Sequence, residues 1–470
     1  MHENSFKSGA LAALVLALVP AFSQANDTGV ESDYAPVAAA NPALIPMTAQ
    51  VTANLPTLDN RLQKTDRLMK NLSDSSDPLR EADVWGRIRS GYAIPDINNQ
   101  LVANHVNWYA TRPDYIARTT ARASRYIFHV VQELEKRGMP TELALLPFIE
   151  SAFNPQAFSS ANAAGMWQFV PATGRDFNLK QNMFKDERRG VLASTDAALT
   201  YLQRLYDMFG DWQLALAAYN WGEGSVQRAI KKNQSLGKPT DFESLADLMP
   251  AETRNYVPKL QAVKNIIGNP AQYGLTLPVV DNHPYFTAID KTSDIDVTVA
   301  AQLAELSMDE FKALNPQFNR PVIIGGEKTK ILLPQENAAK FTSNLAQWGH
   351  ALSSWTTHKI TSARERIETL ASKFGTTADV LRQANNIPQR TSLRAGSTIL
   401  VPKTSATMNM NITQDIADNA KILFEADRPE RASKNSRHVA KGGKSKATPI
   451  SLVKPRIARG GSNNRAKARH

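Results

Sequence analysis

Glu150 is the residue of this sequence whose surroundings best suit acid–base chemistry. Thr141 is a helix-capping residue type, which predicts a helix that begins at Glu142 and carries Glu150 near its end. On such a helix the carboxyl group follows an apolar stripe on one face, formed by Leu143, Leu146 and Pro147. We expect burial to raise the pKa of this carboxyl group, as a proton donor at neutral pH requires. A carboxylate paired with a buried arginine is the structural alternative.

The residues after Glu150 predict a loop that brings an amide and apolar side chains near this carboxyl group. Asn154 and Pro155 end the helix, and the Ser, Asn, Ala and Gly residues that follow are typical of a loop. Residues 165–169, Gly-Met-Trp-Gln-Phe, then add apolar bulk and one amide. A proton donor, an apolar wall and an amide this close in sequence predict an active-site cleft.

Further motifs follow in a definite order along the chain. They are Glu-Ser at 150–151, Asn-Pro at 154–155, Ser at 159, Gly-Met-Trp-Gln at 165–168, Ala-Tyr-Asn-x-Gly-x-Gly at 218–224 and Glu-Thr-Arg-x-Tyr-Val at 252–257. This series resembles the lytic transglycosylases of bacterial cell walls that carry LysM modules, over about residues 84–403. The resemblance implies an enzyme without a cofactor that acts on the glycan strands of peptidoglycan. It would cleave the MurNAc-β-1,4-GlcNAc bond non-hydrolytically and leave 1,6-anhydro-MurNAc ends.

The resemblance assigns both proton transfers of this reaction to Glu150, which would protonate the glycosidic oxygen and then deprotonate the 6-hydroxyl of MurNAc. Most glycosidases need a second carboxyl group, whereas this family does not. The nearby acids Asp176, Asp186 and Glu187 lie in charged stretches that we expect to be solvated. Two other interpretations stay open: a goose-type lysozyme that hydrolyses the bond with water, and a catalytically silent scaffold that binds peptidoglycan.

Eight residues match positions that contact substrate in the family: Ser159, Met166, Trp167, Gln168, Tyr219, Asn220, Glu252 and Tyr256. The resemblance implies that Gln168 and Asn220 hydrogen-bond the saccharide and that Glu252 holds sugar hydroxyls. It implies that Tyr219 stabilises the region of the reacting ring and that Ser159 contacts the acid or the sugar. The other three would line the cleft. The alternatives are a plain loop position for the serine and core positions for the methionine and the tryptophan.

Helical periodicity dominates residues 84–274, which predicts a mostly α-helical, lysozyme-like catalytic domain. The predicted helices cover residues 114–137, residues 194–209 with Ser194 as the cap, residues 212–219 capped by Asp211, residues 224–232 and residues 252–267. Gly190 stands where relatives usually carry Asp, so we expect local loosening there rather than lost activity.

Two repeats follow, a degenerate LysM-like module at 284–346 and a LysM module at 357–403. A shift of 70 residues places Ser307 on Thr377 and Asn315 on Asn385, and each copy predicts strand, helix, helix, strand. The second copy carries Arg-Glu-Arg at 364–366 in place of the usual Gly-Asp-Thr loop, which leaves its sugar binding open. The predicted fold class is therefore α+β and multidomain.

The ends of the chain differ in composition from its middle. Residues 1–25 are typical of a secretory signal peptide, and residues 26–83 of a linker. Residues 404–470 predict a disordered tail, which from 431 holds 12 Lys plus Arg and no acid. We expect an exported, monomeric protein of the periplasm or cell envelope, soluble after signal cleavage, whose tail meets anionic envelope polymers rather than nucleic acid. With no cysteine it cannot be a lipoprotein, and its eight scattered histidines predict no metal site.

Overall fold

The computed structural model describes residues 83–326 and 329–426, and it confirms a helical first part followed by two small strand-containing modules. The α-helices of the first part are α1 Val84–Ser90, α2 Gln100–Ala110, α3 Pro113–Ala123, α4 Ile127–Lys136, α5 Leu146–Ser151, α6 Pro171–Asp176, α7 Val191–Phe209, α8 Trp212–Trp221, α9 Glu223–Ser235, α10 Phe242–Leu245 and α11 Ala251–Gly268. Short 3₁₀ helices lie at Thr141–Leu145, Ala246–Leu248 and Pro270–Tyr273.

Helix α11 is the centre of this helical part, because it packs against α2, α5 and α8. Nearly all of α8 is buried, since its small and apolar residues face the core on every side. Trp85, Phe148 and Trp167 are the large aromatic residues that fill the same core. The rigid packing of α5, α8 and α11 is what positions the side chains described below.

The segment before Glu150 is not the single capped helix that the sequence predicted. It runs as a 3₁₀ helix from Thr141 to Leu145, and the α-helix starts only at Leu146. Pro147 lies in the first turn of this α-helix, a position that suits proline because an N–H there has no partner within the helix. The Thr141 hydroxyl donates to the carbonyl oxygen of Ile88 at 2.6 Å instead of capping.

Two further helix predictions were wrong in their boundaries. The helix predicted at 114–137 is two helices, broken at residues 124–126, where Arg125 and Tyr126 turn toward the first module. Ser194 does not cap the next helix, because α7 begins at Val191 and Ser194 is buried inside it. By contrast, Asp211 does cap α8, since its carboxylate accepts the N–H of Leu214 at 2.8 Å.

The two modules repeat the same arrangement of paired strands around two helices. The first contains β1 Phe286–Asp290, β2 Ile295–Asp296, α12 Val297–Leu303, α13 Met308–Leu314, β3 Val322–Ile323 and β4 Lys330–Pro334, followed by α14 Gln335–Ala346. The second contains β5 Trp355–Lys359, β6 Arg364–Arg366, α15 Ile367–Lys373, α16 Ala378–Asn385, β7 Thr391–Arg394 and β8 Thr398–Pro402. The outer strands pair antiparallel in each copy, with Ala288 opposite Leu332 and Thr357 opposite Leu400.

One asparagine in each copy fastens the second helix to the closing strand. The amide of Asn315 donates to the carbonyl of Leu332 and accepts its N–H, both at 2.8 Å. The amide of Asn385 makes the same pair of bonds to Leu400, at 2.9 and 2.6 Å. The two asparagines that match at a shift of 70 residues thus make the same pair of hydrogen bonds. These bonds need both a donor and an acceptor, which explains why an amide occupies both positions.

The first module is fixed to the helical part by partly buried polar contacts. Arg125 makes a bidentate ion pair with Glu310 at 2.7–3.0 Å, and Tyr285 donates to the same carboxylate at 2.8 Å. The Tyr126 hydroxyl donates to the carbonyl of Ala313 at 2.8 Å. A bidentate arginine–carboxylate pair holds orientation as well as distance, so it fixes how this module meets α4.

The prediction of disorder from residue 404 was wrong for residues 404–426. This segment contains α17 Gln414–Asn419 and β9 Phe424–Ala426. The carboxylate of Asp294 accepts the N–H of Ile412 at 2.6 Å, and Asp418 pairs with Lys180 at 2.9 Å. The segment is stabilised by contacts with residues far away in sequence, and its own composition does not predict these contacts.

Arg364–Arg366 also differs from the prediction, because these residues form strand β6 rather than a loop. Arg364 lies opposite Arg394 and Glu365 opposite Leu393. Among the described residues, no helix combines the length and apolar character that crossing a membrane requires. The predicted signal peptide, the predicted linker up to residue 82 and the basic stretch from residue 431 lie outside the described residues.

Candidate active site

Glu150 lies at the end of α5 and is 6% exposed. The hydroxyl of Tyr256, on α11, donates to its Oε1 in a short hydrogen bond. Ser151 follows directly and donates to the carbonyl of Met166 at 3.0 Å, which ties the end of α5 to the next loop. The chain then leaves the helix through Ala152 and Phe153, both in the left-handed region with φ of 50° and 54°.

Burial raises the pKa of Glu150 from 4.5 to about 8. The hydrogen bond from Tyr256 and the charge of Lys259 act in the opposite direction, while the charge of Glu252 raises the pKa further. Desolvation is the largest of these effects, because the carboxylate form loses its hydration without gaining a salt bridge. The carboxyl group therefore holds its proton at neutral pH.

Glu142, eight residues earlier, shows the structural alternative on the same segment. Its side chain is 1% exposed, yet its oxygens accept the N–H groups of Ala93 and Ile94 at 2.7–3.1 Å and meet Lys264 Nζ at 3.2 Å. A buried carboxyl group with these partners has its hydrogen-bonding capacity satisfied within the fold. Glu150 has only a tyrosine hydroxyl, and so it is Glu150 that suits proton transfer.

The predicted residues of α8 and α11 surround Glu150 with a network of hydrogen bonds. The Tyr219 hydroxyl donates to the carbonyl of Trp167 at 2.9 Å. Asn220 Nδ2 donates to Glu252 at 3.3 Å, and its carbonyl oxygen accepts from Thr253 at 2.7 Å. Burial and the nearby Glu150 raise the pKa of Tyr219 well above its usual range, so this hydroxyl stays protonated as a donor.

Gln168 holds a strained backbone position in the loop that faces this network. Its φ is 50°, which is unfavourable for a residue with a side chain. Its Nε2 donates to the carbonyl of Gly165 at 2.8 Å, while its buried Oε1 has no hydrogen-bond partner. A buried amide oxygen left without a donor is costly. A ligand N–H or O–H would satisfy it, which agrees with the saccharide contact predicted for this residue.

Ser159 is held within its own turn rather than against Glu150. Its Oγ accepts the N–H of Ala163 at 3.0 Å, and its N–H donates to the carbonyl of Ala163 at 2.9 Å. The structure thus gives the serine a role in shaping the loop. The predicted contact with the acid or the sugar remains a prediction.

Met166 and Trp167 do not form an open wall. Both are fully buried in the core, and the Trp167 indole N–H donates to the hydroxyl of Thr195 at 3.1 Å. Neither side chain exposes surface to a ligand in the described conformation, and their role as cleft walls stays a prediction. They anchor the loop to the core, because full burial of large apolar side chains contributes the most hydrophobic stabilisation.

Arg188 is a positioning residue that the sequence analysis missed. Its guanidinium makes a buried ion pair with Asp186 at 2.7 Å and donates to the carbonyls of Asn162 and Phe169 at 2.6 and 3.1 Å. Asp186 is therefore buried and paired, not solvated as predicted. Gly165 passes so close that an added Cβ would lie 2.1 Å from the carbonyl oxygen of Arg188, so only glycine fits there.

Lys259 is the second functional residue that was missed, and the sequence did contain its signal. It follows Tyr256 by three residues and Glu252 by seven, which places all three on one face of α11. Burial lowers the pKa of Lys259, while the charges of Glu252 and Glu150 oppose that shift. Its ammonium group therefore acts electrostatically on the site. Among the described residues, no group of His, Asp and Glu side chains forms a metal site.

Comparison with known proteins adds three family matches in order along the chain. Residues 130–242 match the Transglycosylase SLT domain, residues 285–349 the LysM-like domain of lytic transglycosylase MltD, and residues 365–402 the LysM domain. Membrane-bound lytic murein transglycosylase D of Escherichia coli is 34% identical over 355 residues, which cover 73% of this chain and 78% of that protein.

More distant relatives are similar over a smaller share of the chain. Membrane-bound lytic murein transglycosylase C of Glaesserella parasuis is 28% identical over 197 residues, 37% of this chain and 50% of that protein. The X-ray structure of an inactive mutant of the lytic transglycosylase Slt from Pseudomonas aeruginosa aligns with a TM-score of 0.25 at 26% identity, over 33% of this chain and 25% of that one. On the strength of the 34% match and the three domains in the same order, the chain belongs to the LysM-containing lytic transglycosylase family of membrane-bound lytic murein transglycosylase D.

Proposed function

We propose that this lytic transglycosylase cleaves the MurNAc-β-1,4-GlcNAc bond of peptidoglycan without water and leaves 1,6-anhydro-MurNAc ends. The observation that carries the proposal is the burial of Glu150 beside Tyr256, with a pKa of about 8. An acid of that pKa is protonated at neutral pH and can start the reaction.

In the proposed reaction Glu150 gives its proton to the glycosidic oxygen as the bond to the anomeric carbon breaks. The substrate's own 2-acetamido group stabilises the cation that forms. The Glu150 carboxylate then takes the proton of the 6-hydroxyl, which restores its acid form. The 6-oxygen bonds to the anomeric carbon and closes the anhydro ring. Tyr256 suits both steps, because its hydroxyl can donate to Oε1 in either protonation state.

The other charged groups near Glu150 support a single-acid mechanism. Glu252 is the carboxylate that acts on Glu150, and it already accepts from Asn220. Lys259 adds a positive charge on the same helix face, which would favour the carboxylate form that the second step needs. We propose that Glu252 and Asn220 hold sugar groups, with Gln168 supplying its unpaired oxygen to a sugar amide.

The test is the mass of the first products released from purified sacculi. Anhydro ends are about 18 Da lighter than the reducing ends of hydrolysis. Glu150→Gln should lower the rate about a hundredfold or more while the fold is retained. Reducing ends from the first turnover would establish the goose-type lysozyme alternative, and full activity in the folded variant would remove Glu150 from the mechanism.

For the rest of the chain we propose a modular enzyme that is held on its substrate. Residues 84–274 would form the catalytic domain, and the modules at 284–346 and 357–403 would bind glycan chains. The segment 1–25 would direct export to the periplasm or cell envelope. The basic stretch from 431 would bind anionic envelope polymers, an attraction that salt screens over about 8 Å at physiological ionic strength. A protein ending at residue 426 should therefore show weaker salt dependence in sacculus pull-downs than the full chain.

A further inference from the structure

A cavity of about 290 Å³ lies where the helical part, both modules and the C-terminal segment meet. The residues that give it its character are Arg320, Lys421, Asn386, Met183, Ile422 and Phe424. We call it the Arg320 pocket. Its volume is roughly that of ten water molecules, which suits one or two amino-acid residues rather than a protein partner.

Arg320 lines this pocket, and part of its guanidinium has no hydrogen-bond acceptor among the described residues. Its Nε and Nη1 are both buried, and neither has a hydrogen-bond partner. A carboxylate can bind a guanidinium along either of two edges, and each edge of Arg320 carries one of these unpaired nitrogens. Buried donors of a charged group are costly when they are left unpaired, so the position favours an anionic ligand.

The backbone around Arg320 is fixed from both sides. The preceding Asn319 donates its N–H to the carbonyl of Phe184 at 2.8 Å and its side-chain amide to the carbonyl of Asn182 at 3.2 Å. The following Pro321 accepts the N–H of Val297 at 2.8 Å. The backbone that carries Arg320 is thus ordered before any ligand arrives, which reduces the entropic cost of binding.

The charges around the pocket are positive or already paired. Lys421 adds a second cation, and none of the described residues that line the pocket is acidic. The nearby carboxylate of Asp418 is bound by Lys180 at 2.9 Å and by Asn182 at 3.0 Å. Met183, Ile422 and Phe424 give the pocket an apolar side, which suits an organic carboxylate better than a small inorganic ion.

We propose that the Arg320 pocket binds a free carboxylate of a peptide, and that the stem peptides of peptidoglycan supply it, which rests on the proposed function. Peptide binding at this place would hold the substrate by its peptide while the modules and Glu150 engage its sugar. The pocket would thereby select for strands whose stem peptides are free to enter it.

The probe is a sugar-free stem peptide released from sacculi, which offers nothing to the sugar-binding sites. Calorimetric titration of the full chain should show binding that weakens about tenfold or more when the peptide carboxylates are converted to amides. Arg320→Met should cause the same loss and leave thermal unfolding unchanged or raised, because it removes an unpaired buried charge. Lys359→Met, which removes one exposed charge on β5 outside the pocket, is the matched control and should bind as the unaltered chain does.

Equal affinity for the two peptide forms would overturn the proposal with no variant needed, even if Arg320→Met failed to fold. Unchanged binding by folded Arg320→Met would overturn it too. Inorganic phosphate binding as tightly as the peptide would replace the assignment by a general anion site. Turnover of peptide-free glycan strands should be unaffected by Arg320→Met. The product masses and the activity of Glu150→Gln therefore decide the proposed function separately from this pocket.

Discussion

Replacing the proposed catalytic acid should make the protein more stable at neutral pH. The pKa of Glu150 is about 8 in the folded chain, against 4.5 for an ordinary glutamate. Between these values the folded state holds a proton that the unfolded state has released. The stability that the protonated acid contributes is therefore fully present below pH 4.5 and is lost as the pH rises toward 8.

The size of the effect follows from the two pKa values. Between pH 4.5 and 7 the linkage relation removes about 3 kcal/mol from the free energy of unfolding. Glu150→Gln keeps the shape, and its oxygen can still accept from Tyr256, but it has no proton to release. The variant should match the unaltered protein near pH 4.5 and exceed it by about 3 kcal/mol at pH 7.

The assay is urea unfolding followed by tryptophan fluorescence, to which the buried Trp85 and Trp167 contribute, at half-unit steps from pH 4.5 to 8. Glu142→Gln is the matched control, because its carboxylate accepts backbone N–H groups and meets Lys264. It should be destabilised at pH 7 by about 2–3 kcal/mol. A stability difference between Glu150→Gln and the unaltered protein that does not change with pH would refute the reasoning.

Three further predictions concern the groups that support this site and the second module. Tyr256→Phe removes a hydrogen bond that lowers the pKa of Glu150, so the alkaline limb of kcat/KM should move up by about one pH unit, while Tyr92→Phe should leave it unmoved. Gly190→Asp should raise the free energy of unfolding by about 0.5 kcal/mol, because α7 lacks a side-chain cap and an added Cβ meets nothing closer than 3.4 Å; a loss measured by thermal unfolding would contradict this. Asn385→Ala leaves the N–H and carbonyl of Leu400 without their side-chain partner, so amide hydrogen exchange in β8 should accelerate and the free energy of unfolding should fall by about 2 kcal/mol. Unchanged exchange would contradict this.

The sequence by itself determined the features that depend on local pattern or on the order of motifs. The position of Glu150 after an apolar stripe, the cap at Asp211 and the repeat that aligns Asn315 with Asn385 are all encoded within short windows. Helical periodicity and capping depend on residues a few positions apart, so they can be recognised in the sequence without knowledge of the fold. The same logic made the family resemblance specific, because several short motifs in one order are rarely shared by chance.

Only the tertiary structure decided which distant groups meet, because long-range packing has no local signal. Tyr256 reaches Glu150 from 106 residues away, and the burial that raises the pKa of this acid comes from packing of α5, α8 and α11. The predicted helix is broken at 124–126, the point at which Arg125 meets Glu310. The ordered structure of residues 404–426 likewise depends on contacts with distant parts of the chain, and so does the burial of the Arg320 guanidinium. The energies of these contacts outweigh the local propensity of each segment.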